Sequence, residues 1–194
     1  MSSYVLFISE EKLKDSTAIN GNVDVEFLLP YIRTAQREII EGKLGTDLYN
    51  KLKTLISGGT ISTGANSDYK KLIDEYVSDA LVHWAFYKCI PFLRFKISNG
   101  NIYSKTSETG ESLTTEEAQQ LREEVRNTAE FYTERLIDFI RNNVEKYPEY
   151  STNSGADRSP EKNAYYSGMN LEKKVYDRKT GITLNDFLDA DLQM

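Results

Sequence analysis

Cysteine occurs once in this chain, at Cys89, and histidine once, at His83. A single thiol excludes an intramolecular disulfide and fits a reducing, cytosolic folding compartment. A single histidine leaves no second imidazole for a typical zinc site. No Ser/His/Asp set, Cys/His pair or P-loop is legible. Basic runs of five or more residues are missing and the formal net charge is −6, which argues against nonspecific DNA or anionic-membrane binding as the main task. Apolar runs are short. Tyr4 to Ile8 has no preceding basic residue and no small-residue cleavage site, so it is not a signal peptide, and no stretch is long enough to span a bilayer. The expectation is a soluble, intracellular protein without a cofactor, a metal or a membrane partner.

What the chain does have is helical periodicity. Its 194 residues, 39% apolar and 28% charged, suit one ordinary domain with an appended arm. From Asn22 to Leu52 the pattern reads as two helices joined by a tight corner. Asp24 is placed to cap the first, and Leu28, Ile32, Ala35 and Ile39 make one apolar stripe. Pro30 inside it predicts a kink or a later start. Gly45 supplies the left-handed stop, and Thr46 is placed to cap the second helix, which carries Leu48, Leu52 and Leu55. Ser57 to Ser67 reads as a flexible loop. A third helix follows to about Ile90, with Leu72, Tyr76, Ala80 and Trp84 on one face and Ile73, Val77, Leu81 and Tyr87 widening it. That breadth marks a central helix, stopped by Pro91.

Asn99-Gly100 then signals a β-hairpin near 94–105, in which Ile97 faces Ile102 and Lys96 faces Tyr103. Thr114 to Glu117 is a capping box opening the fourth helix. Its stripe, Leu121, Val125, Ala129, Tyr132, Leu136, Ile140 and Val144, runs to about Tyr147. That is roughly 48 Å at 1.5 Å per residue, long enough to overhang the bundle. Exposed apolar positions on an overhang invite a neighbouring subunit. The expected fold is therefore mainly α: a four-helix bundle over 1–150, one hairpin between helices three and four, and an extended arm over 151–194. The arm reads as linker first, with a possible short helix at 184–192 capped by Thr183.

Chemistry-bearing candidates are few, and each has a plainer reading. Glu75, Asp79 and His83 share one helical stripe, but the outer two lie about 12 Å apart along the axis, so a structural histidine on a solvated face is simpler. Ser57-Gly58-Gly59-Thr60 lacks the following lysine of a phosphate cradle. Lys173-Lys174 and Arg178-Lys179 read as solvated linker before phosphate contacts. The Cys89 thiol reads as buried and inert. Aromatic residues offer more, since tyrosine is enriched at interfaces. The candidate oligomer or partner interface comprises Ile97, Asn99, Gly100, Ile102 and Tyr103 of the hairpin. Late in the chain, Tyr147, Tyr150, Tyr165, Tyr166, Tyr176 and Phe187 join it, because the tail has too little core to bury them.

One resemblance gives these features a common meaning. The pattern D…LxPYIxxAQxxII…LGxxLYxxL, the central YxxLIxxYVxxALxxWAFYxxIPFL at Tyr69 to Leu93, the SNGN turn and the closing AxFYxxxLxxFIxxNxxxYPEY together resemble a phage protein family. That family is the head–tail connector, or adaptor, proteins of tailed bacteriophages, particularly of the Bacteroidetes-phage type. The likeness covers most of residues 5 to 150. It implies a non-enzymatic structural protein of the virion head–tail junction, assembled in the host cytoplasm as a homo-oligomeric ring, commonly twelve-fold. Such a ring sits on the portal protein, extends the DNA channel without sequence-specific binding, and docks further neck or tail proteins. Two other readings compete with it. One is a small helical regulatory module holding a partner helix in a groove lined by Trp84, Phe86 and Tyr87. The other is an enzyme using His83 with Asp79.

Overall fold

The computed structural model describes residues 4–19, 23–93, 114–152, 154–155 and 157–161, and the backbone alone of 95–98 and 101–104. The arm beyond residue 161, with its expected helix at 184–192, and Asn99-Gly100 lie outside the described residues. Within them the protein is mainly helical. In chain order come α1 (Glu10–Asp15), α2 (Val25–Ala35), α3 (Glu41–Leu44), α4 (Thr46–Ser57), α5 (Ser67–Leu72), α6 (Ser78–Leu93), α7 (Thr115–Asn142) and α8 (Pro148–Ser151). Two π-type stretches, Gln36–Ile40 and Ile73–Val77, join α2 to α3 and α5 to α6 as continuous rods. Strands β1 (Phe95–Ser98) and β2 (Asn101–Ser104) pair antiparallel, with Ile97 opposite Ile102 and Lys96 opposite Tyr103.

The centre is α6, packed against both α2 and α7. Leu81, Trp84, Ala85 and Cys89 are fully buried along it. Trp84 donates its indole N–H to Thr133 Oγ1 at 2.8 Å, and Thr133 in turn donates to the Ala129 carbonyl at 2.7 Å. A buried indole N–H without an acceptor would be costly, so Thr133 is as much a core residue as the leucines around it. Phe86 and Tyr87 are buried as well, so the expected partner groove lined by Trp84, Phe86 and Tyr87 is not open: packing within the chain fills it.

Several helix ends depart from their expected chemistry. Asp24 stands at the N-cap of α2, but its side chain makes no capping bond. The helix nevertheless starts at Val25, as its apolar pattern suggests, and continues through Pro30 without the later start that the proline allows. Pro91 falls in the last turn of α6 instead of ending the helix before it; so near the end, its missing N–H removes a single bond and the helix reaches Leu93. Helix α7 opens on the capping box, with Thr114 accepting from the Glu117 N–H and Glu117 accepting from the Thr114 N–H. It ends at Asn142, five residues short of the expected Tyr147, because the chain tightens into a 3₁₀ turn at Val144–Lys146.

Candidate interaction surfaces

The corner between α3 and α4 organises both described ends of the chain. Gly45 makes the turn at φ 75° and ψ 156°, a positive-φ extended conformation open in practice only to glycine. This is not the left-handed helical stop the sequence suggests. Residue 45, rather than Thr46, is the N-cap of α4, which frees the Thr46 hydroxyl for another task. The backbone N–H of Arg158 donates to that hydroxyl at 2.9 Å, and the Thr46 N–H donates to the Arg158 carbonyl at 3.0 Å. The Glu161 N–H donates to the Gly42 carbonyl at 2.8 Å. Ser154 donates both its N–H (2.9 Å) and its hydroxyl (2.5 Å) to Asp47, holding that carboxyl below its usual range.

Two glycines let the arm lie this close. A β-carbon at Gly45 would stand 2.7 Å from the Pro160 ring, and one at Gly42 would press on the Arg158 guanidinium at 3.3 Å. Lys43, its side chain only 4% exposed, meets Glu161 at 2.8 Å. Residues 39–46 are therefore buried without a break, which no amphipathic helix would show by itself. Linker-like composition from 151 onward predicts none of this. The docked arm is the chief feature that sequence reasoning missed, and the pair Gly42 and Gly45 was its one available signal.

The N-terminal segment reaches the same corner from the other side. Gln36, fully buried in the first π-type stretch, accepts from the Phe7 N–H at 2.9 Å. Its amide nitrogen donates to the Val5 carbonyl and the Tyr49 hydroxyl, both at 3.0 Å. One side chain thus supplies hydrogen-bond partners to the backbone of both Val5 and Phe7.

Among the sequence-predicted interface residues, Tyr147 and Tyr150 are buried within the chain, a correction to the expectation that the tail leaves them exposed. Tyr147 donates to the Asp68 carbonyl at 3.0 Å and packs edge-on to Tyr69 at 5.7 Å; burial and the nearby Asp68 push its phenol up to about 12. Ile97, Ile102 and Tyr103 lie on the paired strands, where backbone register is all that is described. Asn99, Gly100, Tyr165, Tyr166, Tyr176 and Phe187 lie outside the described residues. The structure brings none of the hairpin positions together with Tyr147 or Tyr150 in a described contact.

Among the described residues the exposed large apolar side chains are elsewhere: Tyr4, Val25, Phe92 of α6, and two on α7. Residues 115–124 contribute no buried side chain, and Leu121 is 41% exposed. Further along, Phe131 is 63% exposed beside a shallow hollow of about 400 Å³ formed with Tyr76, Arg135 and Phe139. Tyr76 and Phe139 stack at 3.8 Å, and Arg135 lies over the Tyr76 ring at 5.0 Å. An aromatic floor rimmed by charge has the composition of a protein contact.

Proton chemistry has little to work with here. His83 stacks on Tyr132 at 5.0 Å and nearly parallel, and burial lowers its pKa against the opposing pull of Asp79. Asp79 itself faces Arg135 at 3.9 Å and Glu75 faces Lys71 at 3.9 Å, so the three members of the stripe look to different partners. Among the described residues no cluster of three His, Cys, Asp or Glu side chains could hold a metal ion, and no helix is long and apolar enough to cross a membrane. A family model described as a family of unknown function (DUF6712) matches residues 40–160, more than half of the chain and the stretch running from α3 to the docked arm. No curated protein and no solved structure matches it.

Proposed function

Starting from a chain that belongs to the DUF6712 family, whose function is unknown, we propose a structural ring subunit of a phage head–tail junction. The observation that carries this reading is the overhang of α7. Ten residues at its start bury no side chain, and Leu121 and Phe131 stay exposed on a helix whose second half is core. Apolar surface of this kind is covered in an assembly, and a ring of identical subunits covers it repeatedly. We read the rods over 25–44, 46–57, 67–93 and 115–142 as the four members of a bundle, with the hairpin and the arm reaching neighbouring subunits or the portal. The role is mechanical rather than catalytic, in the virion after assembly in the host cytoplasm. The net charge of −6 suits a channel that DNA traverses without sticking. The alternative, a small helical regulatory module, loses support because its expected groove is filled.

Native mass spectrometry of the purified protein, alone and with its candidate portal, tests the proposal. A ring-sized species, free or templated by the portal, is the expected result. A stable dimer that ignores the portal would transfer the assignment to the regulatory module.

A further inference from the structure

We propose that the cleft between the end of α7, α8 and the docked arm binds a single oxyanion group, a carboxylate or a phosphate. The cleft is partly open, about 530 Å³ in volume, and lined by Arg141, Val144, Tyr150, Ser151, Thr152 and Ser159, with Pro160 of the arm at its edge. Its polar lining is a guanidinium and hydroxyls, and no carboxylate is among the lining residues. An arginine in the last turn of a helix is by itself ordinary, because it complements the carbonyl end of the dipole. Tyr150 is not accounted for in that way. It is only 8% exposed, yet its hydroxyl has no hydrogen-bond partner.

A buried donor without an acceptor is destabilising, so such groups are rare unless something supplies the bond. Arg141 likewise makes no described ion pair, and it is close enough to Tyr150 to offset part of the upward pull of burial on the phenol. The Tyr150 hydroxyl, a donor without an acceptor, beside one cationic fork selects an anion with two or more oxygens. The negative end of α7 opposes that anion, so the expected affinity is weak, on the order of millimolar. Because Ser159 and Pro160 belong to the arm, the bound group would tie the arm to the end of α7. The site stands or falls apart from the ring assignment, since it needs only the folded chain.

Isothermal titration calorimetry of the full chain tests it, with sodium phosphate and sodium acetate as separate probes and sodium chloride at matched ionic strength as control. Saturable binding of phosphate or acetate but not chloride is expected. A preference for phosphate assigns a phosphoryl source, and a preference for acetate assigns a carboxylate. Arg141→Gln should abolish binding, and Tyr150→Phe should weaken it about threefold to tenfold, the worth of one hydrogen bond. Tyr150→Phe should not lower the melting temperature, because the hydroxyl it removes has no partner in the unliganded chain. The proposal is overturned by no saturable binding to the wild type, by undiminished binding to Arg141→Gln, or by a lowered melting temperature in Tyr150→Phe. Should Arg141→Gln not fold, unchanged affinity in Tyr150→Phe overturns it equally.

Discussion

At one end of the described chain, Val5 and Phe7 dock on the α3–α4 corner through a single buried amide, Gln36, with Phe7 and Ile8 sealed into the core around it. At the other end, residues 154–161 dock on the same corner through backbone bonds to Thr46 and Gly42, a seat of two glycines, and the Lys43–Glu161 ion pair. The first attachment concentrates its cost in one residue and is shielded from solvent. The second spreads it over many weaker contacts, several at the surface, and depends on close backbone approach rather than on apolar burial. A segment held in the first way should leave only with global unfolding, whereas one held in the second way can detach locally.

The largest expected effect therefore comes from Gln36→Leu. It leaves the Phe7 N–H, the Val5 carbonyl and the Tyr49 hydroxyl without their shared partner. At about 1–3 kcal/mol for each stranded buried group, the loss should be about 3 kcal/mol or more in a urea melt. A loss under about 1 kcal/mol would mean that the amide does not hold the N-terminal segment. Next comes Gly45→Ala, which combines roughly 1–3 kcal/mol of backbone strain with a 2.7 Å approach to Pro160. The expected outcome is release of the arm, read as faster proteolytic cleavage within 154–161 while the helical core stays protected. Gly59→Ala is the control, because it shares the positive φ of 65° but has nothing within 4 Å. If the two variants expose the arm equally, Pro160 is not what Gly45 accommodates.

The smallest effect belongs to Glu161→Gln. Lys43 is buried but Glu161 is more than a third exposed, so screening limits the pair to about 1 kcal/mol. Protection of the arm should fall with added salt in the wild type and become insensitive to salt in the variant. Salt dependence that survives the substitution would place the electrostatic hold outside Glu161, because the same variant also removes the Arg158–Glu161 pair.

Local signals in the chain were enough to place most of the helices. The leucine and isoleucine spacing before Gly45, the breadth of the stripe around Trp84 and the Thr114–Glu117 box each reflect physics confined to one turn or one face. Helix ends were less legible, because Pro91 and Thr46 have two permitted roles and only their neighbours choose between them. Of the candidate interface, the hairpin register follows from local geometry, but Tyr147 and Tyr150 look like anchors only as long as Asp68, Tyr69 and the rest of their pocket are unseen. Thr133, Gln36 and the 154–161 arm escaped notice for the same reason: each takes its role from a partner far away in the chain.

The amino-acid order by itself determined that this protein is built of helices, which helix is central, and that Gly45 turns the corner. Those outcomes rest on periodicity and backbone sterics, which act over a few residues. The tertiary structure alone decided that a linker-like segment lies in a glycine seat, that one glutamine pins the N-terminal run, and that Leu121 and Phe131 of α7 stay exposed while Tyr147 and Tyr150 are buried. Those outcomes depend on hydrogen bonds and burial between residues often a hundred positions apart, and no local pattern encodes which distant group will stand opposite.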